Sequence, residues 1–198
     1  MDSRLRGNDE HMMGPPDMNT LALKPTIRLA MPQDAAPLAA LKLAAFRETF
    51  IDDFKVPYPP ADLAIFERDS YCVETVAREL ADPTHATWIG DGLDGAMLGY
   101  AHVGPCKLPH PDVRAGEGEL YQIYLLRAAQ GMGLGSALLD TAFAHLATIR
   151  PGPIWIGVWS GNARARAVYA GKGFAEVGGY GFPVGEGWVD QEVIMRRG

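Results

Sequence analysis

A glycine-rich turn constrains this chain more than any other segment. It holds three glycines within seven residues: Gln130, Gly131, Met132, Gly133, Leu134, Gly135 and Ser136. An apolar run, residues 119–126, precedes it, and apolar residues at helical spacing follow it. Glycine lets a backbone turn tightly and approach a ligand closely, and the unpaired N–H groups at a helix start form an anion site. The segment therefore predicts a strand, a turn and a helix that bind a phosphate-bearing cofactor.

Three kinds of phosphate-binding turn compete for this segment. A P-loop needs a lysine and a Ser or Thr directly after its last glycine, and no lysine follows the glycines here. A dinucleotide-binding turn would use Gly131 and Gly133, but Ser136 occupies the third glycine position and no acidic residue follows at the required distance. The third kind has the pattern Gln130-x-x-Gly133-x-Gly135, which needs neither the lysine nor the third glycine and later acidic residue that this segment lacks.

Hydrophobic patterning predicts alternating strands and helices over residues 26–198, which we expect to form a single domain. Strands are expected over residues 26–30, 86–90, 96–103, 119–126, 154–159, 174–177 and 188–196. Helices are expected from residue 34 to a break at residues 56–60, over 61–82 with a break near 70, from 134, and over 162–173. Helices between strands favour a mixed α/β sheet covered on both faces. Residues 1–25 are polar and lack the apolar segment of a secretory signal, so we expect a disordered leader there.

The charge and composition of the chain restrict the classes of partner that we expect it to bind. The net charge of −6 provides no general attraction to nucleic acid or to anionic lipid, and it suits a cationic acceptor better. No apolar run approaches the roughly 20 residues of a membrane span. The two cysteines, Cys72 and Cys106, have neither CxxC spacing nor a histidine cluster beside them. We therefore expect no nucleic-acid partner, no membrane partner, no metal and a cytoplasmic location.

The glycine turn resembles the acetyl-CoA motif of the GNAT superfamily of N-acetyltransferases, Gln/Arg-x-x-Gly-x-Gly/Ala. Residues 119–126 and 156–159 resemble the family's fourth and fifth strands. Asn162-x-x-Ala165-x-x-x-Tyr169, followed by Gly173 and Phe174, is similar to a further family segment. The resemblance covers about residues 119–174. It implies the GNAT fold, a mixed and mostly antiparallel sheet of about six to seven strands, with helices on both faces and a gap between strands 4 and 5.

The same resemblance assigns the cofactor site. It implies acetyl-CoA as co-substrate, whose diphosphate would bind at residues 130–136, and a bulge in the fourth strand that frees a backbone N–H near Tyr124 or Leu125 for the thioester carbonyl. Backbone pairing with pantetheine would extend to Leu126. Asn162 would cap its helix and contact the cofactor, and Tyr169 would act as the general acid that protonates the CoA sulfur.

The acceptor side is predicted from acid–base chemistry. An alkyl ammonium ion with a pKa near 10 needs a base or a water chain at pH 7, and Glu119 at the head of the fourth strand is the candidate, with a relay through Tyr121 or water as the alternative. The acceptor pocket is expected beside the interrupted first helix. The residues expected there are Glu48, Asp52, Tyr58 and Tyr180.

Two segments favour one acceptor class without excluding others. Residues 46–50, and the tail from Tyr180 to Met195, are similar to the bacterial polyamine acetyltransferases of the PaiA type. This resemblance implies a spermidine- or spermine-like acceptor. The alternatives are an enzyme acting on an amino acid, an aminoglycoside or a peptide N-terminus, and a non-catalytic acyl-CoA sensor. A small-molecule amine is therefore the expected partner, and the sequence leaves open whether the chain forms a homodimer, as such domains often do.

Overall fold

The computed structural model describes residues 25–198, so all of the expected leader except residue 25 lies outside the described residues. The strands are β1 (Thr26–Leu29), β2 (Ala86–Asp91), β3 (Met97–Pro105), β4 (Gly118–Leu125), β5 (Ile154–Trp159), β6 (Ala175–Val184) and β7 (Trp188–Arg197). The α-helices are α1 (Ala35–Phe46), α2 (Pro60–Tyr71), α3 (Val73–Ala81), α4 (Leu134–Ile149) and α5 (Ala163–Gly171). A π-helix, Arg47–Asp53, continues α1.

The seven strands form one mixed sheet in the order β1-β2-β3-β4-β5-β7-β6. All neighbouring pairs are antiparallel except β4 and β5, which are parallel. This confirms the predicted α/β class and the mixed, mostly antiparallel sheet.

Helices cover both faces of the sheet, as the sequence predicts. On one face, α4 buries Leu138, Ala142 and Leu146 against β3, β4 and β5, and Tyr169 of α5 joins the same core. On the other face, α1 and α3 pack over β2 and β3, while α2 and the π-helix cover the β6–β7 end. Among the helices of residues 25–198, none is long and apolar enough to cross a bilayer.

The strands β4 and β5 separate part-way along their length. They pair only from Gly118 with Ile154 to Leu120 with Ile156, although β4 continues to Leu125 and β5 to Trp159. Beyond the last pair, each strand leaves the backbone groups that face the other without a partner strand. This is the predicted gap between strands 4 and 5, and it opens the sheet next to the glycine turn.

A β-bulge at Tyr121 changes which way the rest of β4 faces. Leu120 pairs with Val103 of β3 and Gln122 pairs with His102, so Tyr121 is the extra residue. Glu119 and Tyr124 are five positions apart, and a regular strand would point them to opposite faces. The bulge places both on the face covered by α1. The resemblance implied a bulge in this strand without assigning its residue, and the structure places it at Tyr121.

The bulge forms at Tyr121 because its side chain is held there. Its hydroxyl donates a hydrogen bond to the Pro105 carbonyl at the end of β3. Gly104 leaves space for the Tyr121 side chain, because a Cβ at position 104 would lie 2.7 Å from both Cε2 and the hydroxyl oxygen of Tyr121. A glycine in one strand and an aromatic residue in its neighbour therefore fix the register.

Two elements differ from their predictions. The first helix is regular only to Phe46, and the π-helix continues it over the residues that we expected to be α-helical. The strand β6 was predicted over residues 174–177 but runs from Ala175 to Val184. Its glycines at 178, 179 and 181 indicate a turn locally, but its pairing with β7 from Ala175 to Val184 overrides that tendency.

Candidate active site

The glycine turn projects open backbone at the start of α4. Gly131 and Gly133 have φ angles of 79° and 78°, the left-handed region that favours glycine. A Cβ built on either glycine would have no atom within 4 Å. Gly135 instead packs closely, because a Cβ there would lie 3.2 Å from Leu125 Cδ1.

The first hydrogen bond of α4 runs from the Ala137 N–H to the Gly133 carbonyl, so the amides of residues 134–136 have no acceptor within the helix. These amides, together with the open glycines 131 and 133, form a cradle into which a diphosphate fits. Gln130, Met132 and Ser136 are exposed around it.

The backbone amides at the end of β4 are not equivalent. Leu126 donates its N–H to the Leu98 carbonyl at 2.8 Å, and its carbonyl accepts from the Ala129 N–H. Successive amides in an antiparallel strand point to opposite sides, so the Tyr124 amide also faces β3, whereas those of Ile123 and Leu125 face the gap. Leu125 therefore offers the free N–H. Leu126 was expected to pair with pantetheine as well, but its N–H already bonds to β3, so only its carbonyl could accept a further hydrogen bond.

A cavity of about 240 Å³ opens between the separated strands and the helices α1 and α2. Its polar groups include Glu119 from β4, Tyr169 from α5, and residues of β6 and β7. Asn162 and Tyr124 also line it, as do Tyr58 and Tyr180. Its walls are otherwise largely aromatic: Phe46, Phe50, Phe66, Tyr71, Tyr121, Trp159 and Phe182.

Glu119 lies at the head of β4 with its carboxyl group in the cavity wall. The residue is 5% exposed, and burial raises the pKa of its carboxyl group to about 7. The backbone N–H of Lys107 donates to its Oε2 at 2.8 Å, which opposes that rise. A carboxylate with this pKa can accept a proton at neutral pH and release it again.

Tyr169 reaches the cavity from α5 on the opposite side of the gap. Burial raises the pKa of its hydroxyl well above the usual value, so the group remains protonated. Within residues 25–198 its hydroxyl forms no hydrogen bond, while its ring packs near Phe174, with 6.0 Å between centroids. Asn162 fixes the start of α5, because its Oδ1 accepts the Ala165 N–H at 2.9 Å. The structure thus presents a buried proton donor whose position depends on a capped helix.

Two further carboxylates line the cavity, and neither was predicted as a site residue. Asp190 is 7% exposed and accepts hydrogen bonds from the Tyr58 hydroxyl at 2.6 Å and the Trp188 indole at 2.8 Å. Glu192 accepts from the Tyr180 hydroxyl at 2.9 Å, and burial raises the pKa of its carboxyl group. A signal was present, because Asp190 and Glu192 are two positions apart in a predicted strand and therefore lie on one face of it.

Glu48 and Asp52, predicted to bind the acceptor, are absent from the cavity wall. Glu48 instead accepts the backbone N–H of Arg127 at 2.6 Å, which ties the π-helix to the end of β4. Asp52 is exposed, and its neighbour Asp53 pairs with the Arg127 guanidinium at 2.6 Å. Asp52 falls outside the cavity because the π-helix turns that face of the chain toward solvent.

A known protein family shares the sequence pattern that builds this site. The model of the acetyltransferase (GNAT) family matches residues 43–174. The chain belongs to the GNAT family. As a GNAT acetyltransferase it uses acetyl-CoA as co-substrate, and the open amides at the start of α4 fit the cofactor's diphosphate. Within the described residues, no group of three or more His, Cys, Asp or Glu side chains is arranged to hold a metal ion.

Relatives of this GNAT chain span most of its length. An uncharacterized N-acetyltransferase from Mycobacterium bovis is 31% identical over 148 residues, which are 73% of this chain and 90% of the relative. One from Lactobacillus delbrueckii subsp. lactis is 28% identical over 144 residues, 73% of this chain and 83% of the relative.

Among solved structures, the PaiA N-acetyltransferase from Thermoplasma acidophilum in complex with coenzyme A superposes with a TM-score of 0.68 at 16% identity. It covers 88% of this chain and 99% of its own. This likeness shows the shared fold.

Proposed function

We propose that this GNAT enzyme transfers the acetyl group of acetyl-CoA to a primary amine of a small molecule, with a polyamine as the favoured acceptor. The observation that carries the proposal is the placement of a basic and an acidic group around one cavity at the gap in the sheet. Glu119 lines it from β4 and Tyr169 from α5. An amine that enters from the α1–α2 side meets Glu119 there, with Tyr169 across the gap.

The geometry supports direct attack. The Glu119 carboxylate takes a proton from the acceptor ammonium ion, and the freed nitrogen lone pair forms a bond with the thioester carbonyl carbon. Negative charge develops on the carbonyl oxygen, and the unpaired Leu125 N–H is the donor that stabilises it. The C–S bond then breaks, and the departing thiolate takes the proton of the Tyr169 hydroxyl. The attached nitrogen gives up its remaining extra proton, which restores the Tyr169 hydroxyl, and Glu119 releases its proton to solvent. The products are an amide and free CoA.

The charge of the cavity supports a cationic acceptor. Three carboxylates line it, those of Glu119, Asp190 and Glu192, against one basic side chain, Lys107. In residues 25–198 the donors to these carboxylates are a backbone amide, a thiol, two tyrosine hydroxyls and an indole, with no lysine or arginine side chain among them. Buried anions without a cationic partner favour a ligand that brings positive charge.

The test is a panel of acceptors. The protein is incubated with acetyl-CoA and, separately, with spermidine, simple alkyl amines, amino acids, an aminoglycoside and a peptide with a free N-terminus. Thiol release and product mass are measured. We expect acetylation of alkyl amines, most rapidly of the polyamine. Activity with the peptide and with no other acceptor would discard the polyamine proposal. Binding of acetyl-CoA without release of the CoA thiol in the presence of any of these amines would favour a sensor.

A further inference from the structure

We infer that Glu192, oriented by Tyr180 above Gly157, binds a second positive charge of the acceptor and so selects diamines over monoamines. This inference rests on the proposed amine acetylation and adds the residue that determines specificity. None of the three residues touches the glycine turn, and only Tyr180 was predicted to line the acceptor pocket.

Gly157 provides the room for this site. A Cβ at that position would lie 2.7 Å from Glu192 Oε2, 3.1 Å from the Tyr180 hydroxyl oxygen and 3.2 Å from Leu108 Cδ2. Contacts of 2.7 Å do not occur for real Cβ atoms in well-packed proteins, so any other residue here would displace the Glu192 carboxylate. The missing side chain in β5 lets Glu192, from the neighbouring β7, extend over β5 toward the acceptor cavity.

Tyr180 fixes one oxygen of that carboxylate. Tyr180 and Glu192 are directly paired across β6 and β7, and the tyrosine hydroxyl donates to Oε2 at 2.9 Å. This is the only hydrogen bond to the Glu192 carboxylate among residues 25–198, so Oε1 remains free to accept from a ligand. A single oriented oxygen on the cavity wall can hold an ammonium group in a defined place.

The charges around Glu192 favour a bound cation. The carboxyl group of Glu119 lies close enough for the charge of Glu192 to raise the pKa of Glu119. Two ionised carboxylates in one enclosed cavity repel each other unless a positive charge lies between or beside them. Lys107 fills that role only for Glu119, whose pKa its charge lowers. Its Nζ lies 4.0 Å from the Tyr121 ring centroid and, among residues 25–198, forms no ion pair with either carboxylate. A diamine with one nitrogen at each carboxylate supplies the missing charges.

Asp190 is a different case, although it lines the same cavity. Both of its oxygens already accept hydrogen bonds, Oδ1 from Trp188 and Oδ2 from Tyr58. Its role is to hold the aromatic wall together across β7 and the segment before α2. The second ammonium is therefore assigned to Glu192 rather than to Asp190.

The test compares 1,4-diaminobutane with butylamine, which differ by the second amine alone. Binding of each to the CoA complex is measured by calorimetry, and kcat/KM is measured with acetyl-CoA. The wild-type protein should prefer the diamine by about 10- to 100-fold in both measurements, the range of one charge-assisted hydrogen bond. Glu192→Gln should lose that preference and leave butylamine within about threefold. Tyr180→Phe should reduce it partially. Glu186→Gln, the same change at an exposed site between β6 and β7, should leave it intact.

The outcomes separate the two proposals. Loss of diamine binding in Glu192→Gln without acetyl transfer in any variant would disprove the proposed function and leave only the assignment of Glu192 as a residue that binds diamines. An equal fall for both amines, or a diamine preference that persists in Glu192→Gln, would overturn the inference while the acetyl transfer stands. Affinity for CoA, together with the melting temperature, shows whether each variant is folded. If Glu192→Gln does not fold, Glu192→Asp is used instead, because it keeps the charge but shortens the side chain by one methylene group. An unchanged diamine preference in Glu192→Asp would also overturn the inference.

Discussion

The cofactor end of the site and its acceptor end are assembled over different distances in sequence. The strand β4, the glycine turn and α4 follow one another within residues 118–149, so neighbours in sequence build the phosphate cradle. The acceptor end brings Glu119 of β4 beside Glu192 of β7, which depends on pairing between strands distant in sequence. The cradle is therefore recognisable as a motif, whereas residues of the acceptor end can change independently of one another and of the cradle.

The largest effect is expected from a substitution that disrupts only the phosphate cradle. Gly133→Arg should weaken CoA binding by more than about 100-fold, because the new side chain and its Cβ fill the space above the first amides of α4. The positive φ adds strain of about 1–2 kcal/mol. Gly95→Arg is the matched control, since Gly95 has a φ of 79° and equally open surroundings in the β2–β3 turn. Calorimetry with CoA checks both. Equal loss of affinity in the two variants would mean that strain, and not the site, is responsible.

A smaller effect is expected where the two ends meet. Tyr169→Phe should lower kcat by about 100-fold through loss of the general acid and leave CoA affinity within about twofold. Tyr100→Phe is the control, because it removes a hydroxyl from a fully buried tyrosine on the opposite face of the sheet. Steady-state kinetics and calorimetry make the measurement. An unchanged kcat in Tyr169→Phe would remove its role as the proton donor.

The acceptor end should show its own pH dependence. The Glu119 carboxyl group must be ionised to act as a base, so kcat/KM for the amine should rise as pH passes through about 7. Glu119→Gln should lower kcat/KM by about 100-fold at pH 8 and abolish that rise. Glu186→Gln should retain the wild-type profile. A rise near pH 7 that persists in Glu119→Gln would assign the base to another group.

The same carboxyl group should affect stability in the opposite direction. Its pKa is about 7 in the folded protein, above the ordinary value of 4.5 for this side chain, so folding favours its protonated form. The stability that this preference contributes is present below pH 4.5 and is lost as pH rises through 7. Glu119→Gln should therefore melt at a higher temperature than wild type at pH 8, with a smaller difference at pH 5. Differential scanning calorimetry checks this, and a constant difference would contradict the buried position of Glu119.

The smallest effect concerns a residue outside both ends. Glu48→Gln should weaken the tie between the π-helix and Arg127 and lower stability by about 1 kcal/mol, the worth of one hydrogen bond. The KM for the amine should remain unchanged. Thermal melts and steady-state kinetics distinguish these effects. A rise in KM without loss of stability would return Glu48 to the acceptor site.

Local patterns explain what the sequence could predict. The strand β5 has the expected bounds, α4 begins at Leu134 as expected, and Asn162 caps α5. Each of these rests on residues close together in the chain. The length of β6 could not be predicted, because Gly178, Gly179 and Gly181 indicate a turn until β7 pairs with them.

The acidic acceptor residues illustrate the same limit. Glu48 and Asp52 were chosen because they lie on a helix near an expected pocket, and carboxylates look alike in a sequence. Only the sheet order places Glu192 above Gly157 and near Glu119, and only the π-helix turns Asp52 away. The position of the bulge at Tyr121 could not be predicted for a related reason, since the space for it comes from Gly104 on a different strand.

That single extra residue has a consequence for how this strand can diverge. Deletion of Tyr121 would make the Leu120–Val103 and Gln122–His102 pairs consecutive, so Glu119 and Tyr124 would both stay on the face covered by α1. Regular pairing with Tyr121 retained would instead shift residues 122–125 by one position, which turns Tyr124 toward α4 and Leu125 into the acceptor pocket. The amide of Leu125 would then pair with β3, away from the incoming thioester. The working surface of β4 therefore tolerates loss of the extra residue but is inverted by loss of the bulge alone.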